Sequence, residues 1–291
     1  MLLRISAILF PIFAVVAAGY LYGLRHRPEM AVANRLNIDV FVPTLIFATM
    51  AGKSFELGAF ALLALGGVVV VLGSGLIAWP VARWMNVAPK TFVPPVMFNN
   101  SGNIGLPLTL LAFGEEALPA AVVLFTVETA LHFSVGARML DPDTRLLQLW
   151  RVPVVAAALA GIAVALIKIP IWPPALMAIR MVGDISIPLL LFALGVRLTD
   201  VSFKDWKVAM AASVLRPVAG MALAWAVAKL LGLPPQQTAM LLVFGALPPA
   251  VLNFLFAERY RQEPERVASM VLIGNLASLI FLPIVLAMVL E

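Results

Sequence analysis

The chain has 291 residues, 63% of them hydrophobic and only 12% charged, with a mean hydropathy of +1.03. A water-soluble domain carries about 25% charge and roughly 45–50% apolar residues, so this composition excludes a soluble globule and leaves lipid as the solvent. The net charge of +5 sits in short connections between apolar runs, where it sets membrane orientation and is no nucleic-acid signature.

The first apolar run, residues 5–24, follows Arg4 directly and is too long for a signal-peptide core, so it reads as a retained helix. Four more spans complete a first set, at about 32–51, 57–79, 91–113 and 117–137. A second set follows at about 151–168, 175–196, 207–231, 238–257 and 267–289. The sequence therefore predicts an all-α integral membrane protein with ten transmembrane helices, each built from about 20 mostly apolar residues. One membrane domain, 1–291, accounts for the chain, with one repeat over 1–137 and a second over 151–291.

Orientation follows from the basic residues. Fourteen of the twenty, among them Arg25, Arg83, Arg145, Lys204 and Arg259, fall in the odd-numbered connections. Five, Arg4, Lys53, Lys168, Arg180 and Lys229, fall on the other side, and Arg216 lies inside a span. This excess predicts cytoplasmic odd connections and a multi-pass protein of the plasma (inner) membrane with both termini outside.

Span 2 reads Asp39-Val-Phe-Val-Pro43-Thr-Leu-Ile-Phe47 and span 7 reads Asp184-Ile-Ser-Ile-Pro188-Leu-Leu-Leu-Phe192. The shared D-x-x-x-P-x-x-x-F pattern falls in the second helix of each five-helix set. Because five is odd, the second set runs through the bilayer with opposite polarity, which makes a 5+5 inverted repeat. Asp39 and Asp184 are candidates for lining a pathway or coupling an ion, or else are satisfied carboxylates beside proline kinks.

Spans 4 and 9 are the unusual ones. Span 4 carries Asn99-Asn100-Ser101-Gly102-Asn103-Ile104-Gly105-Leu106-Pro107, and span 9 carries Pro248-Pro249-Ala-Val-Leu-Asn253 at matching depth. Proline removes a backbone donor and clashes with the preceding turn, and glycine weakens a helix by roughly 1 kcal/mol. Gly102, Gly105, Pro248 and Pro249 are thus the expected helix-break residues. Interrupted backbone at membrane depth survives only inside protein or beside a water-filled cavity, and paired broken helices near the midplane point to a transport site.

These segments resemble a known family. Residues 99–107 are similar to the fourth-helix motif of the auxin efflux carrier family, which includes bacterial malonate and other organic-acid permeases. Ala246-Leu-Pro-Pro-Ala-Val-Leu-Asn-Phe-Leu-Phe-Ala-Glu-Arg-Tyr260 resembles the ninth helix of the plant carriers. The resemblance implies a fold like the bile-acid sodium symporters, with helices 4 and 9 broken and crossing. It also implies a scaffold of helices 1, 2, 6 and 7, a moving transport domain of helices 3–5 and 8–10, and a homodimer through the scaffold. Asn100 matches the position that holds the substrate carboxylate, while Asn99 and Asn253 stand where the plant carriers have Pro.

The half-helix N-termini at such breaks favour anions. Asn100, Ser101 and Asn103 add neutral donors, with Asn99 and Asn253 as further substrate-binding candidates; alternatively these side chains only cap the broken ends. Glu128 and His132, at i and i+4, share one face of span 5. They are candidates for proton coupling, or a fixed pair holding that helix to the crossover, or a His at the cytoplasmic boundary. Arg216 reads as a partner for an Asp or as a snorkelling residue, and Gly19 and Gly23 as a close-packing G-x-x-x-G.

Enzyme readings find little. H-E-x-x-H and G-x-S-x-G are missing, and Gly52-Lys53-Ser54 lacks the first Gly of a phosphate loop, since Phe47 stands there. With two His and no Cys, no metal or cofactor is expected. The function expected is a secondary transporter moving small organic anions by elevator-type alternating access, with H⁺ or Na⁺ as possible coupling ions. An anion channel, or less readily a membrane receptor or enzyme, is the alternative.

Overall fold

Apolar runs free of clustered helix breakers become single long helices. The computed structural model describes residues 1–52, 57–144, 146–168, 170–200 and 205–290. Lys53, Ser54, Arg145 and Lys204, which entered the readings above, lie outside them. The helices are α1 (Leu2–His26), α2 (Ala31–Met50), α3 (Leu57–Trp84), α4 (Pro89–Met97), α5 (Ser101–Phe113) and α6 (Glu115–Leu140). They continue as α7 (Pro153–Ile167), α8 (Pro173–Arg197), α9 (Trp206–Leu231), α10 (Pro235–Ala246), α11 (Leu252–Arg259) and α12 (Pro264–Val289).

Seven of these, α1, α2, α3, α6, α8, α9 and α12, are long and apolar enough to cross a membrane, and the protein is an all-α, multi-pass membrane protein. Of the ten expected spans, 91–113 and 238–257 are each divided into two short helices, and 151–168 forms the 15-residue α7. Among the described residues no strand occurs beyond one isolated antiparallel bridge, between Asn99 and Pro249.

The outer surface suits lipid. Phe10, Leu21, Leu76, Met181 and Leu230 are exposed, and Trp84, Trp150, Trp172 and Trp206 are exposed at helix ends, where membrane interfaces favour Trp. Polar residues concentrate inside instead: Asn99, Asn100, Ser101, Glu128, His132, Arg216, Asn253 and Asn275 are all buried.

Packing is heaviest within two sets of helices. In one, α1 lies along the second half of α8, while α2 packs on α7 and on the first half of α8. In the other, α9 packs on α3, α10 and α12, and α3 packs on α4 and α6. Sparser contacts, such as those of α1 with α5 and α12, join the sets. Glycines permit the tightest approaches. A Cβ at Gly19 would lie 2.2 Å from the Phe192 carbonyl oxygen, so the G-x-x-x-G of α1 packs within the chain against α8. A Cβ at Gly220 on α9 would lie 2.1 Å from the Gly245 carbonyl oxygen at the end of α10.

Candidate functional site

The two interruptions have different local causes. α10 stops at Ala246 because Leu247 precedes Pro248, and a residue before proline is pushed out of the helical region; Leu247 is extended at φ −60°, ψ 144°. α4 contains Pro94 and Pro95 and ends at Met97, with Phe98 extended at φ −101°, ψ 120°. Asn100 then restarts a helix as N-cap, its Oδ1 accepting the Asn103 N–H at 3.3 Å, as Asn does well at that position. Gly102 and Gly105 therefore lie inside the first turn of α5 rather than in the interruption itself, whereas Pro248 and Pro249 lie within theirs.

The interruptions meet. Asn100 N–H donates to the Pro248 carbonyl at 2.7 Å, and Ala250 N–H donates to the Phe98 carbonyl at 3.0 Å. Side chains repeat the exchange: Asn99 Nδ2 donates to the Phe244 carbonyl at 2.8 Å, and Asn253 Nδ2 donates to the Phe98 carbonyl at 3.1 Å. Each Asn thus satisfies a C-terminal carbonyl of the opposite broken helix, groups that a helix end otherwise leaves unpaired. The Oδ1 atoms of both are buried without a hydrogen-bond partner among the described residues. α12 adds a third support, since Asn275 Oδ1 accepts Asn100 Nδ2 at 2.9 Å while its own Nδ2 donates to the Pro249 carbonyl at 3.1 Å.

Glu128 and His132 do share a face of α6. His132 Nδ1 lies 3.2 Å from Glu128 Oε1, and the Ser101 hydroxyl donates to Glu128 Oε2 at 3.3 Å. His132 is buried where the α-helical stretch Leu118–Leu131 passes into a π turn, and it stacks on Phe98 with centroids 4.1 Å apart and planes 7° apart. Arg216 corrects the snorkelling expectation: it is 0% exposed. Its Nη1 donates to the Gly245 carbonyl at 3.4 Å, so a fixed cation stands at the C-terminal end of α10, where the helix dipole favours it. The Gly220–Gly245 approach holds the surrounding helices too tightly for the side chain to reach water.

A cavity of about 160 Å³ opens beside the junction. Its polar lining includes Asn99, Asn100 and Asn103 from the first interruption, Glu128 and Thr129 from α6, and Asn34, Asn37 and Arg197 from the other helix set. Gly102 in the first turn of α5 also lines it, as do Ala250, Val251 and Leu252 at the start of α11. Two half-helix N-termini, those of α5 and α11, therefore border one small space; Asn103 N–H donates to Asn100 Oδ1, and Asn253 N–H and Phe254 N–H donate to the Ala250 and Val251 carbonyls. Ser101, His132 and Asn253 are not part of the lining; Ser101 bonds to Glu128, His132 stacks on Phe98, and Asn253 donates to the Phe98 carbonyl. Asp39 and Asp184 are exposed and outside the lining. They sit at helical irregularities, Asp39 in the π turn Asn37–Phe41 and Asp184 at the last residue of Pro173–Asp184, where α8 is interrupted.

Sequence reading missed Asn34, Asn37, Arg197 and Asn275. Asn34 and Asn37 form an N-x-x-N at helical spacing in span 2, and that polar pair was the available signal. Asn275, alone in its span, carried the same signal more weakly. Among the described residues no cluster of three or more His, Asp or Glu is placed to hold a metal ion.

Buried polar residues gathered around paired helix interruptions, inside an apolar multi-pass protein, define a membrane protein with an internal polar site. Comparison with known proteins narrows the class. Residues 142–286 match the family model described as membrane transport protein. A Rhizobium meliloti protein named "Putative malonate transporter" is 27% identical, covering 94% of this chain and 92% of the relative. A Methanothermobacter thermautotrophicus protein named "Uncharacterized transporter" is 25% identical with 94% of both chains covered. A similarly named Methanocaldococcus jannaschii protein is 20% identical over 92% of this chain. These matches make the chain similar to membrane transport proteins and support a transporter of the auxin efflux carrier family rather than an enzyme.

Proposed function

We propose that the protein is a secondary transporter of small organic anions, and that it takes a carboxylate into the cavity where the two interrupted helices meet. The observation that carries this is the convergence of two half-helix N-termini on one cavity, alongside the neutral amides of Asn100 and Asn103. Partial positive charge at helix N-termini attracts an anion. The relative named for malonate is similar along nearly its whole length, which agrees with a carboxylate cargo.

The buried charges suggest how transport is coupled. With Arg216 charged and Glu128 ionised, the two cancel around the junction. A proton on Glu128 removes the negative charge from a cavity whose lining also holds Arg197 and favours entry of a carboxylate, so proton and anion move together. Ser101 and His132 hold the Glu128 carboxyl in place for that exchange.

The architecture in this proposal is the 5+5 inverted repeat, with α4–α5 crossing α10–α11. The reciprocal Asn99 and Asn253 hydrogen bonds and the matched Asp39 and Asp184 irregularities agree with it. The set containing α1, α2, α7 and α8 is the scaffold, and through it two copies pair. The set built on α9 is the moving transport domain of an elevator. The cavity shares Asn34, Arg197 and Val251 with a second one of about 360 Å³, also lined by Glu258, on the side whose basic connections mark it as cytoplasmic in the inner membrane. This arrangement corresponds to an inward-facing state.

Uptake of labelled malonate into proteoliposomes tests the function. Saturable uptake accelerated by unlabelled malonate inside supports a carrier. Flux that rises linearly with concentration, without trans-acceleration, contradicts it and indicates a channel.

A further inference from the structure

The cavity has a polar side chain without a hydrogen-bond partner among the described residues. Asn37 is 1% exposed, yet neither its Oδ1 nor its Nδ2 has a hydrogen-bond partner among the described residues. Its side chain lines the same cavity as Asn100, Gly102 and Asn103 but belongs to α2, in the opposite helix set. Buried side-chain amides are paired as a rule, and leaving both ends of one open is destabilising. Asn37 also opens the π turn Asn37–Phe41, a local departure from α-helix that is frequent at functional sites. Its side chain caps neither that turn nor the helical segment before it, so a local structural duty does not account for it.

We propose that Asn37 is a substrate-binding residue that receives a second polar group of the transported acid, while α5 holds the first carboxylate. This rests on the reading of the cavity as an organic-anion site. A primary amide offers both donors and an acceptor. It therefore matches a hydroxyl, or a second carboxyl in its protonated form, better than it matches a methyl group. The substrate class is a short bifunctional acid, either a hydroxy acid or a singly protonated dicarboxylate. The size agrees: a cavity of roughly 150 Å³ accommodates a benzene-sized guest, and this one measures about 160 Å³. Because Asn37 and Asn100 lie on different helix sets, a two-ended substrate bridges the sets and a one-ended acid does not.

Isothermal titration of the purified protein with malonate, 3-hydroxypropionate and propionate tests this, comparing wild type with Asn37→Leu. The wild type is expected to bind both bifunctional acids at least tenfold more tightly than propionate, and Asn37→Leu to bring that ratio near one. The ligand-free melting temperature of Asn37→Leu is expected to rise, because an open buried amide is replaced by an apolar side chain of similar size. A ratio near one in the wild type, or a ratio that Asn37→Leu leaves unchanged, overturns the inference while the organic-anion reading stands. A variant that melts lower or fails to fold shows that Asn37 has a structural role and overturns it as well. A wild type that binds none of the three acids removes the organic-anion reading and this inference together.

Discussion

Asn100 at the start of α5 and Asn275 in the middle of α12 share a 2.9 Å hydrogen bond, Nδ2 of the first donating to Oδ1 of the second. Asn275 also donates to the Pro249 carbonyl, so a single amide fixes the orientation of Asn100 and ties α12 to the other interruption. The amide expected to meet the substrate is thereby pre-set by a helix that touches both breaks.

Replacing Asn275 with Leu leaves the Pro249 carbonyl and the Asn100 amide unpaired in a buried setting. The expected loss of stability is about 1–3 kcal/mol, read as a lower melting temperature, accompanied by weaker carboxylate binding as Asn100 is freed to rotate. An unchanged affinity would mean that the orientation of Asn100 does not matter to the ligand.

Asn100→Ala removes both a helix cap and a cavity amide. Loss of the cap costs about 1 kcal/mol and leaving Asn275 Oδ1 without its donor costs about 1–3 kcal/mol more, so the melting temperature is read beside uptake. Malonate uptake in proteoliposomes is expected to fall more than tenfold.

Glu128→Gln keeps a hydrogen-bonding side chain against Ser101 and His132 but cannot gain or lose a proton. Wild-type uptake is expected to increase as external pH falls, and the variant is expected to lose that dependence. Uptake assays at several pH values, with and without Na⁺, check this; a preserved pH dependence would assign the proton to another group.

Gly220→Ala drives a Cβ against the Gly245 carbonyl, where only backbone can give way. The expected destabilisation is about 1–3 kcal/mol by thermal unfolding. Gly58→Ala, where a Cβ would meet nothing within 4 Å, is the control and is expected to leave stability unchanged or improve it.

Much of the site was readable in the sequence because hydrocarbon makes polar residues conspicuous. Asn99 to Asn103 and Pro248 to Asn253 stood out as poor helix formers, and the spacing of Glu128 and His132 placed them on one face. What the sequence concealed depended on tertiary packing. The depth of Arg216 in its span allowed snorkelling until the Gly220–Gly245 approach closed around it. Asn37 and Asn275 differ little from ordinary polar residues in long spans, and their importance lies in what faces them. The glycines of span 4 looked like the break because they are weak helix formers, yet the backbone yields earlier, at Phe98 to Asn100, where Asn100 supplies the new cap.

The central claim is that the acid sits where the two interrupted helices join. A crystal structure with bromomalonate, collected at the bromine absorption edge, locates the ligand directly. The account predicts an anomalous peak inside the cavity bounded by Asn37, Asn100, Asn103 and Glu128. A peak found only elsewhere, such as the apolar groove between Ile12 and Leu279, would contradict it, as would no peak at a saturating concentration.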